Sequence, residues 1–151
     1  MTQIGFYHLT RLSLDQALPK LLDKALAAGH RAVVLAGSAE RVDDLNERLW
    51  TFEPESWIPH GAARDGDPAL QPIWLTDRDE NPNEATILVM CDGARSEAVE
   101  GFARCLDLFD GNDPDAVQAA RERWKDWKAA GHELVYYQQT ERGGWEEKAR
   151  G

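Results

Sequence analysis

Cysteine is nearly absent from this 151-residue chain: Cys91 and Cys105 are the only two, and they lie outside any CxxC spacing. That excludes a disulfide framework and a thiolate zinc site. Long apolar runs are missing too, since no stretch approaches the ~18 residues a membrane-spanning helix requires. Met1-Thr2-Gln3-Ile4 has no basic segment followed by an apolar run, so the sequence predicts no signal peptide, no membrane partner and a cytoplasmic location. Positive charge is scarce: 17 basic residues face 27 acidic ones, for a net charge of -10. A protein that grips nucleic acid mainly through phosphates needs a basic footprint, and the average charge of this chain opposes one.

The recurrent sequence signatures of catalysis are missing as well. No GxxxxGK(S/T), no GxGxxG after a strand, no GxSxG and no HExxH occurs. His8, His30, His60 and His132 do not pair at ligand spacing, and Asp43-Asp44 and Asp77/Asp79/Glu80 read as solvated surface. The chain is expected to carry no catalytic residue, metal or cofactor. Gly37 and Gly93 each sit in a strand-to-helix turn that could present amides to an anion, which keeps a small nucleotide-binding domain open as a rival.

What is present is an alternation of apolar patterns. Ile4–Leu9 reads as a short strand. Leu14, Ala17, Leu18, Leu21, Leu22, Ala25 and Leu26 recur at helical spacing, with Ser13 as a cap and Gly29 as a stop. Residues 31–36 form a continuous apolar run, as in a strand buried on both faces. Ser38 opens a second helix reaching Trp50, and a long polar and aromatic loop follows from Thr51 to about Gln71. Strands are expected at 72–75, 86–90, 104–109 and 134–137, a short helix at 96–102, and a helix from Asp113-Pro114 to Gly131. Strands alternating with helices imply one three-layer, Rossmann-like α/β domain with a mainly parallel sheet and no phosphate-binding loop. That domain is expected to span residues 1–140, with a loose tail over 141–151.

Two constellations stand out. On the helix ending at Gly131, Arg121, Trp124, Lys125 and Lys128 share one stripe, and Arg123 and Trp127 share the neighbouring face. Residues 1–116 carry ten basic against 21 acidic side chains, net -11, whereas 117–151 carry seven against six, net +1. The stripe fits a solvated amphipathic helix with snorkelling cations, or a groove for an acidic peptide with an apolar end. It also fits direct binding of single-stranded DNA with Trp124 stacking on bases. The second constellation is Leu49-Trp50-Thr51-Phe52 through Ser56-Trp57-Ile58-Pro59-His60-Gly61. Its aromatic residues either fold back on the sheet edge or form a protein-binding patch.

At these two stretches the sequence resembles the chi subunit of bacterial DNA polymerase III, and the likeness is collinear over nearly the whole chain. It includes Phe6-Tyr7-x-Leu9, Lys24-Ala25 leading through Gly29-x-Arg31, Leu45-x-x-x-Leu49-Trp50, Pro59-His60-Gly61 and Ala120-Arg121-Glu122-Arg123-Trp124-Lys125. The resemblance implies an accessory subunit without polymerase chemistry of its own. Such a subunit joins the clamp loader, usually through the psi subunit, and binds the acidic C-terminal tail of single-strand DNA-binding protein, meeting DNA mainly indirectly. It assigns Arg121, Trp124, Lys125 and Lys128 to the tail site, with Phe109 as a further wall of an apolar slot. It assigns Trp50, Trp57, Ile58 and Pro59 to the patch facing psi. Trp124 stands where the best-known members have tyrosine and Lys128 where they have arginine; a lysine cannot make the guanidinium's two-pronged contact.

Overall fold

A computed structural model describes residues 2–51, 60–62, 67–142 and 144–150. The chain runs β1 (Gln3–Leu9), α1 (Leu14–Ala27), β2 (Ala32–Leu35), α2 (Ala39–Thr51), β3 (Gly61–Ala62), β4 (Ile73–Thr76), β5 (Ile87–Cys91), β6 (Arg104–Asp110), α3 (Pro114–Ala129), β7 (Glu133–Gln139) and β8 (Trp145–Arg150). One eight-stranded sheet has the order β3-β4-β2-β5-β6-β1-β7-β8. Every described pairing is parallel except β7 with β8.

Local chemistry accounts for the helix ends. Ser13 accepts from the Gln16 amide while the Gln16 side chain accepts from the Ser13 amide, a capping box that satisfies two otherwise orphaned donors. Gly29 and Gly131 adopt φ of 84° and 90°. Around them Gly29 and His30 donate to the carbonyls of Leu26 and Ala25, and Gly131 and His132 to those of Lys128 and Trp127. Both helices therefore close by the Schellman pattern that a left-handed glycine permits.

The sheet has a core on each face, because adjacent strand residues point opposite ways. Leu9, Val34, Val89 and Leu108 meet Leu18, Leu22 and Leu45 of α1 and α2 on one side. Ile4, Phe6, Met90 and Leu134 meet Ala120 and Trp127 of α3 on the other. Each fully buried Leu, Ile or Phe contributes about 1.5–3 kcal/mol relative to exposure, so the two cores hold the three layers together without staples.

Four expectations change. Only a single 3-10 turn, Val99–Gly101, forms where a short helix is expected, because the segment's start is pinned elsewhere. Asp79 accepts from the Ser96 hydroxyl (2.5 Å) and the Glu97 amide (2.9 Å). Glu80 likewise accepts from Trp74 Nε1 at 2.9 Å and Thr76 Oγ1 at 2.8 Å, so these acids are structural pins instead of free surface. Within the long loop, Gly61–Ala62 adds an edge strand to β4. The chain end read as a loose tail runs from Trp145 to Arg150 as β8. It is held against β7 by its ladder, by Trp145 packing on Tyr7, and by an Arg150–Glu133 ion pair.

Candidate functional site

The exposed side of α3 follows from what its inner side buries. Ala120, Arg123 and Trp127 lie inward at steps of three and four, which turns Arg121, Lys125 and Lys128 to solvent. Arg123 is the unusual member: its Nε and Nη2 donate to the two carboxylate oxygens of Asp107 at 2.7 and 2.9 Å. Both residues are buried, at 5% and 1% exposure. Burial pushes the Asp107 carboxyl up, and the hydrogen bonds and charge of Arg123 pull it back. Trp127 is covered by the Arg95 guanidinium, 5.2 Å from its ring, and Arg95 in turn pairs with Asp126. A buried fork at one turn and a capped indole at the next set the rotation of α3.

Trp124 sits at the edge of this face, half-buried. Its ring meets Phe6 of β1 at 5.4 Å and Tyr136 of β7 at 6.1 Å. Phe109, at the end of β6, is buried and touches the same group through Tyr136 at 6.1 Å and His8 at 5.2 Å. His8 Nδ1 and the Tyr136 hydroxyl are hydrogen-bonded at 2.5 Å. Burial holds the His8 imidazole below its ordinary value, and the positive charge of Arg121 acts in the same direction. Burial also raises the Tyr136 phenol, and Arg121 opposes that shift. Arg121 thus stands within electrostatic reach of both rings. The result is an aromatic cluster at the sheet surface, flanked by three exposed cations.

The structure brings Arg121, Trp124, Lys125 and Lys128 onto one helix, with Phe109 deeper and one ring further away. Sequence reasoning missed His8 and Tyr136. They come from the first and last parallel strands, His8 near the end of β1 and Tyr136 at the middle of β7, and the only signal was that both lie in aromatic runs. Trp50 falls in the final turn of α2, and Trp57, Ile58 and Pro59 lie outside the described residues.

The opposite possibility, a phosphate site at the C-terminal ends of the strands, meets specific obstacles. Ligands of parallel sheets usually lie in the crevice where successive crossovers diverge. Here that crevice, about 360 Å³, is lined by the turn after β1 together with Asp15, Arg41, Asp92 and Asp110. The amides of Arg11 and Leu12 already donate to Gln139 Oε1, both at 2.9 Å, so a carboxamide oxygen occupies the place of a phosphate oxygen. Arg41 is engaged by Asp15, Asp44 and Asp92 at 2.8, 2.5 and 2.7 Å. Arg11 is the other cation lining this crevice, where Asp15, Asp92 and Asp110 outnumber it.

No helix among the described residues is long and apolar enough to cross a membrane. Among them, no group of three or more His, Cys, Asp or Glu could hold a metal ion.

Comparisons with known proteins bear on the family of this chain. A probable DNA polymerase III subunit chi from Rickettsia prowazekii is 36% identical over 90 residues, covering 60% of this chain and 54% of that protein. The match thus spans about half of that relative's length. The DNA polymerase III subunit chi of Pseudomonas aeruginosa is 26% identical over 137 residues, covering 89% of this chain and 94% of the relative. The Escherichia coli subunit chi is 24% identical over 125 residues, covering 81% and 83%. The model of the family described as DNA polymerase III chi subunit, HolC, matches residues 1–135, which takes in His8, Phe109 and all of α3. With that span matched, the chain belongs to the DNA polymerase III chi subunit family.

Proposed function

We propose that this chain is a non-catalytic adaptor of the replication machinery, linking the clamp loader to single-strand DNA-binding protein by holding that protein's acidic C-terminal tail. The observation that supports this reading is the exposed face of α3. Arg121, Lys125 and Lys128 stand free of their own core beside the half-buried Trp124, on a protein of net charge -10. Carboxylates of an acidic tail pair with such cations, and an apolar end residue packs against the indole and the aromatic rings behind it. Membership of the family carries the replication role, and the coincidence of cations and rings supports the choice of ligand. For Trp50, Trp57, Ile58 and Pro59 the proposed partner is the psi subunit or the clamp loader, as the family resemblance implies.

Calorimetry with an acidic peptide ending in Pro-Phe tests this. Binding is expected in the micromolar range, roughly 8 kcal/mol. Lys125→Ala should remove most of it while leaving the circular dichroism spectrum unchanged, because Lys125 is exposed. No heat of binding, or identical binding by the Lys125→Ala and Trp124→Ala variants, would sink the adaptor assignment of this helix. A steep fall of affinity with salt for oligonucleotide, without peptide binding, would favour direct DNA contact instead.

A further inference from the structure

A cavity of about 380 Å³ lies on the sheet face opposite α3, at the N-terminal ends of the strands. Its floor is Tyr7 of β1 with Tyr137 of β7 stacked beside it at 5.0 Å, and Trp145 of β8 meets Tyr7 edge-on, also at 5.0 Å. Leu21 and Ala25 of α1 make the opposing wall. These surfaces meet because α1 covers the middle of the sheet and stops short of β7 and β8. The volume falls within the ~300–1,000 Å³ typical of small-molecule sites, and aromatic lining with a few polar groups is the usual composition.

The rim is basic. Lys24, His30 and Arg104 are all exposed there, and no carboxylate lines the cavity among the described residues. On a protein with ten more acidic than basic residues, such one-sided lining is informative. Arg104 is already oriented: its Nη2 donates to the Tyr7 hydroxyl at 2.9 Å. Lys24 and Arg104 together outweigh the half negative charge of α1's C-terminus. The Lys24-Ala25 run noted in the sequence, which the α3 face leaves unexplained, forms part of this wall.

We propose that this cavity is a second binding site, for a small planar aromatic carboxylate. A one- or two-ring acid would lie against Tyr7, Tyr137 and Trp145 with its carboxylate between Lys24 and Arg104. The size of the cavity, walled by α1, the sheet and Trp145, matches a free small acid.

Amide and indole NMR of the full chain, titrated with indole-3-propionate, tests the assignment. Saturable shifts are expected at Tyr7, Tyr137 and the Trp145 indole, with little change at Trp124. The neutral amide, indole-3-propionamide, should bind more weakly. The Lys24→Gln/Arg104→Gln double variant should weaken binding roughly five- to tenfold, and Ala25→Phe, which fills the cavity, should abolish it. Lys125→Ala should leave it unchanged, which separates this site from the α3 face. Absence of saturation by millimolar acid, equal affinity for acid and amide, or persistence of binding in Ala25→Phe would overturn the proposal. So would binding of the peptide Gly-Gly-Trp without binding of the free acid.

Discussion

Removing the Arg123 guanidinium should damage this protein more than removing any cation on the outer face of α3. Asp107 pairs in register with Phe6 of β1 and Met90 of β5, both buried, so its carboxylate emerges into apolar surroundings with Arg123 as its partner. In Arg123→Ala that charge loses two hydrogen bonds and its buried counter-charge. Breaking a buried pair from one side typically costs about 3–5 kcal/mol. In a domain of this size each kcal/mol lowers Tm by about 2–4 °C, so the expected loss is about 6–20 °C in a thermal melt. The sign of the pH dependence follows. Without Arg123 the folded Asp107 carboxyl lies above its unfolded value of about 3.9. Its neutral form then favours the fold below that value, and the advantage is lost as pH rises through the folded pKa. The variant's deficit should therefore shrink on acidification. Replacing both charges, in Arg123→Met/Asp107→Leu, leaves nothing unpaired and should recover most of the stability, since apolar substitutes for buried pairs are often neutral or better. A single variant as stable as the parent would refute this reasoning. So would a double variant no better than the single.

Two further outcomes are expected. A Cβ at Gly111 would lie on the His8 ring and the Leu9 carbonyl, and the carbonyl is backbone that cannot swing away. Gly111→Ala should cost about 1–3 kcal/mol by urea unfolding, and it should broaden His8 and Tyr136 signals before those of α1. His8 should make stability fall on acidification. Its folded pKa is depressed, so the unfolded chain binds the proton first, and stability is lost as pH drops from about 6.5 towards the folded value. The slope of unfolding free energy over that window should flatten in His8→Gln; an unchanged slope would assign it to other groups.

Much of this architecture is legible in the residues because local and global preferences agree. The Ser13 cap, the glycines at 29 and 131 and the apolar runs of β2 and β5 each have one compatible structure. The helical spacing also separates Arg121, Lys125 and Lys128 from Trp127, and it puts Arg123 with Trp127 on the buried side. Its partner was not legible, since an aspartate amid Leu106 and Leu108 carries no sign of which helix will lie above it. His8 and Tyr136 escaped for the same reason: they are 128 residues apart and meet only because β1 and β7 are neighbours. β3 is two residues long, too short for any periodic signal. β8 is exposed and mostly charged along its length, a composition that resembles a solvated end until the ladder with β7 is seen.

Phe6 and Tyr7 are consecutive, yet Phe6 supports Trp124 on one face of the sheet and Tyr7 floors the cavity on the other. β1 is therefore a partition whose two sides are furnished by alternate residues. A slip of one position against β6 or β7 would exchange the two sides and spoil both at once. Evolution of either surface is tied through this strand to the other: a new residue at position 6 or 7 must suit a neighbour that faces away from it. β8, exposed along most of its length, carries no such obligation, and it tolerates a register irregularity opposite Tyr136 and Tyr137.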